Sequence, residues 1–164
     1  MADNTTWHRD EETGQYVFDT FVVVNAPVEK CFAAWENFEM FPSLFSYITE
    51  VRRTGDNNWH WAATIGGQHA DWDAGMTDFH RNDIIAWEST DGLRNSGSVT
   101  FSPEDDGRRC RISVHLMYDP PYGVIGDLVA QYRFNDEFYN DLVRDLLNFK
   151  ENVESGRTDY YRAA

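Results

Sequence analysis

Lysine is nearly missing from this 164-residue chain: Lys30 and Lys150 are the only two, and 14 basic residues stand against 28 acidic ones, for a net charge of -14. A surface of that sign repels phosphate and no basic cluster interrupts it, which argues against nucleic acid and against anionic membranes as partners. Cysteine is equally scarce. Cys31 and Cys110 form no CxxC and have no histidines at ligand spacing, so neither a disulfide framework nor a zinc site is indicated. Both thiols are expected reduced, in the core. No apolar run approaches the ~20 residues a membrane helix needs, which argues against stable membrane insertion. Met1 to Gln15 is polar and lacks the apolar segment of a secretory signal, so the cytoplasm is the expected location. Neither GxSxG nor HExxH occurs, and no cofactor or metal is implied.

What the chain does have is large apolar bulk. Hydrophobic residues make up 41% and aromatics 15%, too much for a disordered chain. The length predicts one domain, spanning 16–156, with flexible segments at 1–15 and 157–164. Tyr16 to Asn25 reads as a strand rich in β-branched and aromatic residues. Pro27 suits the first turn of a short helix over Val28 to Trp35. A second short helix carries Phe38, Phe41, Leu44 and Phe45, and Pro42 makes it broken or 3₁₀-like. Six strands follow, at Ser46 to Thr54, Trp59 to Ile65, Gln68 to His80, Asn82 to Ser89, Asn95 to Pro103 and Arg108 to Tyr118. Short turns join them, which favours antiparallel neighbours. Beyond Asp119-Pro120-Pro121-Tyr122-Gly123, Ile125 to Tyr132 reads as helical. Asn135 or Asp136 is the expected cap of a long helix over Glu137 to Ser155. Its stripe of Phe138, Leu142, Leu146, Phe149 and Val153 repeats at helical spacing, and Gly156 stops it.

Strand alternation then assigns faces. Trp59, Trp61, Ala63 and Ile65 share one side of their strand, as do Ala70, Trp72, Ala74 and Met76, Ile85 and Trp87, and Cys110, Ile112, Val114, Leu116 and Tyr118. The opposite sides carry most of the ionisable groups. A long amphipathic helix must lay its stripe on the apolar face, yet one helix does not cover a curved seven-stranded sheet. The surplus aromatic surface therefore packs against the short helices or surrounds a void, which would attract an apolar guest.

These segments resemble the SRPBCC, or START-like, proteins of the bacterial polyketide cyclase/dehydrase group. The likeness runs from Tyr16 to Gly156. It is carried by VNAPVEKCFAAWENFEMFPSLFSYITEV (Val24 to Val51), HWAATIGGQHADWDA (His60 to Ala74), IAWESTDGLRNSGSVTFSP (Ile85 to Pro103), MYDPPYGVIGDLVA (Met117 to Ala130) and DLVRDLLNFKENVESG (Asp141 to Gly156). The resemblance implies an α+β helix-grip fold: a seven-stranded antiparallel sheet wrapped around a long C-terminal helix, with a cavity near the short helices. Members are similar in having that cavity and share no common catalytic set, so no catalytic residues are carried over.

Phe38, Phe41, Phe45, Trp61, Trp72, Trp87, Tyr118 and Phe134 are the expected cavity lining, and a hydrophobic small molecule (lipid, quinone or polyketide-like) is the expected partner. The runner-up is a polyketide aromatase/cyclase or dehydratase in the same cavity, using Tyr118, Tyr132 and Arg94. A third reading is an acidic interaction module with no ligand. His69, Asp71 and Asp73 fall on one outer strand face at about 7 Å intervals, too far apart to share a metal ion. Ser113, His115 and Arg111 also face outward. Asp119 and Tyr118 meet where the last strand hands over to the helix, and a tyrosine hydroxyl there could orient a ligand carbonyl. Gly97 is expected either to let another group approach the backbone closely or to mark a bulge. Nothing in the residues specifies an oligomeric state.

Overall fold

The computed structural model of the chain describes residues 7–120 and 126–158. Eight strands run in the order β1 (Trp7–Arg9), β2 (Tyr16–Val24), β3 (Ile48–Arg53), β4 (Asn58–Ile65), β5 (Gln68–His80), β6 (Ile84–Gly92), β7 (Asn95–Glu104) and β8 (Arg109–Tyr118). Helix α1 (Val28–Glu36), a 3₁₀ turn (Phe38–Met40) and helix α2 (Phe41–Leu44) separate β2 from β3, and helix α3 (Leu128–Glu154) closes the chain. Neighbours in the single sheet lie in the order β1-β2-β8-β7-β6-β5-β4-β3, and every pairing is antiparallel.

Two expectations change. The sheet has eight strands rather than seven, because Trp7 to Arg9 pairs with Phe18 to Tyr16 inside a segment expected to fray. A three-residue polar strand has too little pattern to announce itself, and its partner makes it. The last helix is also continuous, where two stretches with a cap at Asn135 or Asp136 were expected. Its cap is Asp127, whose side chain accepts from the N–H groups of Val129 and Ala130, both at 3.1 Å. Asn135 is fully buried and accepts a hydrogen bond from the Tyr118 hydroxyl, so its polarity serves a tertiary contact. Residues 1–6, 121–125 (the expected turn at Pro121 to Gly123 and the expected helix start at Ile125 among them) and 159–164 lie outside the described residues.

The core sits where the concave face of the sheet meets α3 and α1. Phe18 from β2, Phe32 from α1, Phe45 after α2, Ile112 from β8 and Phe149 from α3 are all fully buried. The whole expected stripe of α3, from Phe138 to Val153, is buried. Polar ties fix its far end. Buried Asp145 accepts from the N–H and the hydroxyl of Ser46, both at 2.8 Å. Lys150, one of the two lysines, donates to the Val23 carbonyl at 3.0 Å and to Glu154 at 2.5 Å, and Glu154 accepts the Asn25 N–H at 2.8 Å. Burial alone would raise the Glu154 carboxyl, but the Lys150 ammonium and the Asn25 N–H outweigh it and hold the group below its usual range. Cys31 and Cys110 are free and buried. The Cys31 thiol, hydrogen-bonded to Cys110 and desolvated, is pushed far up.

Candidate functional site

The strand register stacks the site in rows. Met76 opposes Trp87, Trp87 opposes Gly97, Gly97 opposes Leu116 and Leu116 opposes Phe18, which makes one continuous line across β5, β6, β7, β8 and β2. Gly97 is the small member of that line. A Cβ there would sit 2.4 Å from the His115 carbonyl oxygen and 2.7 and 2.8 Å from two carbons of the Trp87 ring. The close approach expected at Gly97 is therefore made by the Trp87 indole. Its Nε1–H donates to the Asn95 Oδ1 at 3.0 Å, while the Asn95 amide nitrogen donates to the Leu93 carbonyl at 2.9 Å. Trp87 is thus held against β7.

A second row lies toward the other edge. Trp61 and Trp72 are directly opposed on β4 and β5, with rings parallel to within 1° and centroids 6.4 Å apart. Phe41 meets Trp61 edge-on at 5.4 Å, and Phe38 meets Trp59 the same way at 5.2 Å. The short helical segment that Pro42 breaks supplies these phenyl rings. Between the two rows and α3 the backbone leaves a hollow of about 140 Å³.

All eight expected residues, Phe38, Phe41, Phe45, Trp61, Trp72, Trp87, Tyr118 and Phe134, border that hollow. Sequence reasoning missed Trp35, Tyr47 and Asn95 there, and placed Trp59, Met76 and Leu116 on the inner face without assigning them to the lining. Trp59 could have been found from its place two residues before Trp61. Tyr47 lies where α2 gives way to β3, beyond the reach of either periodicity. Among the described residues, no Asp, Glu, Lys, Arg or His borders the hollow.

The wall's polar groups are mostly turned elsewhere. The Tyr118 hydroxyl donates to the Asn135 side chain inside the core, so its ring alone faces the space. Burial pushes the hydroxyls of Tyr118 and Tyr47 far above their ordinary range, and both stay protonated and neutral. Tyr132 is 60% exposed with its ring against Trp7, and Arg94 is exposed on the β6–β7 turn. The three groups considered for proton transfer therefore do not converge. Asp119 contributes its backbone N–H to the Arg94 carbonyl at 2.9 Å.

On the outer face, His69 stands apart from Asp71 and Asp73. It is His60, across the β4–β5 pairing, that approaches them, with Nδ1 2.8 Å from Asp73 and Nε2 3.8 Å from Asp71. Among the described residues no three His, Cys, Asp or Glu side chains are grouped to hold a metal. His115 pairs with Asp19 at 2.6 Å, and Arg111 lies over the Phe21 ring at 4.3 Å while bonding Glu104. Among the described residues no helix is long and apolar enough to cross a membrane.

Comparison with known proteins agrees with this architecture. A 17.2 kDa protein of the melC2-rnhH intergenic region of Streptomyces lincolnensis is 30% identical over 135 residues, 81% of this chain and 86% of that one. The crystal structure of DR_A0006 from Deinococcus radiodurans superposes with a TM-score of 0.67 at 26% identity, covering 85% of this chain and 98% of the other. The Zhui aromatase/cyclase from Streptomyces sp. R1128 gives 0.69 at 14% identity, covering 87% and 95%, a likeness of fold alone. The sequence model of the family described as polyketide cyclase / dehydrase and lipid transport matches residues 24–138. This chain belongs to that family and has its helix-grip fold.

Proposed function

We propose that the protein binds a hydrophobic small molecule in the hollow between its sheet and α3. The observation that carries this reading is the composition of the wall: indole, phenyl, phenol and aliphatic groups with the Asn95 amide, and, among the described residues, no carboxylate, imidazole, ammonium or guanidinium. Such a space is poorly hydrated, so an apolar guest entering it displaces little bound water and gains close contact. Cyclisation or dehydration needs a proton donor or acceptor within about 3 Å of the reacting atom. The Tyr118 hydroxyl is engaged with Asn135, and Tyr132 and Arg94 lie away from the space. Carriage or sequestration is therefore better supported than catalysis. A ligand-free acidic docking module has no use for such an interior.

Native mass spectrometry of the purified protein, before and after organic extraction, tests the reading. An adduct that the solvent removes and that proves apolar is the expected result. Trp61→Ala and Trp72→Ala should each weaken uptake of a neutral apolar dye severalfold. Unchanged affinity in both would put the dye elsewhere and overturn the assignment.

A further inference from the structure

Resting on that reading, we infer that the guest is a small, neutral, flat molecule of one or two aromatic rings, and not an acyl chain or an anion. Size is the first argument. The hollow measures about 140 Å³. An engineered apolar cavity of roughly 150 Å³ in another protein accepts benzene, whereas pockets for drug-sized ligands start at about 300 Å³. A long acyl chain has no room here unless the rings of the wall are displaced.

Shape is the second. Trp61 and Trp72 present parallel planes, and Trp87 is pinned against Gly97 by its bond to Asn95. Phe38 and Phe41 turn their edges to the neighbouring indoles. A flat π-system can meet both faces and edges of such a wall with favourable quadrupole geometry, which a flexible chain cannot.

Charge is the third. No cation among the described residues borders the hollow, and the chain carries a net -14, so a carboxylate would enter unpaired and against the overall field. The Asn95 amide spends its oxygen on Trp87 and one N–H on the Leu93 carbonyl, so at most a single neutral N–H is left, which cannot offset the cost of burying a carboxylate.

The test is a ligand-observed NMR titration of the full-length protein with toluene, naphthalene, benzoate and palmitate. Toluene and naphthalene should bind saturably, with benzoate more than about 100-fold weaker than its near-isostere toluene. Ala74→Leu adds bulk at a buried wall position and should abolish toluene binding. Where that variant does not fold, Met76→Trp fills the same space. Palmitate or benzoate binding as tightly as toluene would overturn this inference while leaving apolar binding intact. Toluene binding that survives the filling would place the ring outside the hollow and overturn it as well. Failure of all four compounds to bind would overturn both the inference and the proposed function.

Discussion

The two halves of α3 solve opposite problems. In its C-terminal half, Leu146, Phe149 and Val153 are at most 1% exposed, and Phe149 lies 5.1 Å from Trp35 and 6.1 Å from Phe45. Asp145, Lys150 and Glu154 tie that half to Ser46 and to the end of β2. In the N-terminal half, Leu128, Val129 and Tyr132 are 60–74% exposed, while Phe134, Phe138 and Leu142 border the hollow. One end of a single helix is packed like a solid, and the other forms the side of a space. A continuous helix lets the solid end fix the position of the open end, because its axis transmits the anchoring along about 40 Å.

Truncation is the strongest way to break that contrast. Phe149→Ala should cost about 3–5 kcal/mol in urea denaturation, since its neighbours are held from several sides and cannot collapse into the gap. Phe134→Ala should cost less, by about 1 kcal/mol or more, because a residue bordering a void lacks partners on one side already. Equal losses would mean that the two ends are packed alike. A smaller effect sharpens the picture at the wall itself. Gly97→Ala should destabilise by about 1–3 kcal/mol, as its methyl collides with the Trp87 ring and the His115 carbonyl. The same variant should change tryptophan fluorescence, and an unaltered spectrum would show that Trp87 does not rest on Gly97. The smallest effect concerns acid. The Glu154 carboxyl is held below its reference value of 4.5, so its contribution is complete above that pH and is lost as pH falls through the lower folded value. Glu154→Gln should flatten the acid limb of stability by well under about 1 kcal/mol, the pair being partly exposed. An unchanged limb would remove this clasp from the anchoring.

Much of this could be read before any coordinates. Alternation along β4, β5, β6 and β8 reports the inner face because side-chain direction in a strand has a period of two, and seven of the eight expected wall residues follow from that rule and from the phenyl cluster around Pro42, with Phe134 supplied by α3. The two bulges in the β5–β6 pairing, which leave Thr90 of β6 and Thr77 of β5 without a residue opposite, are not visible in that rule, and the second resets the alternation of β5 so that Phe79 opposes Ile85. Tyr47 and Asn95 were missed for a related reason: each lies at an end of a strand, where periodicity has no run to act on. The outer pairing of His60 with Asp73 depends on cross-strand register, which no single strand encodes.

By itself, the sequence determined the class of the fold, the apolar stripe of the long helix, and which side of each strand would be greasy. These are local matters of period and side-chain chemistry, settled within a few residues. Only the tertiary structure decided that the greasy side would leave about 140 Å³ unfilled, that Tyr118 would turn its hydroxyl toward Asn135, and that the Trp87 ring would be what closes on Gly97. Each of those is set by how separate elements come to lie against one another, and that follows from the summed packing of all of them.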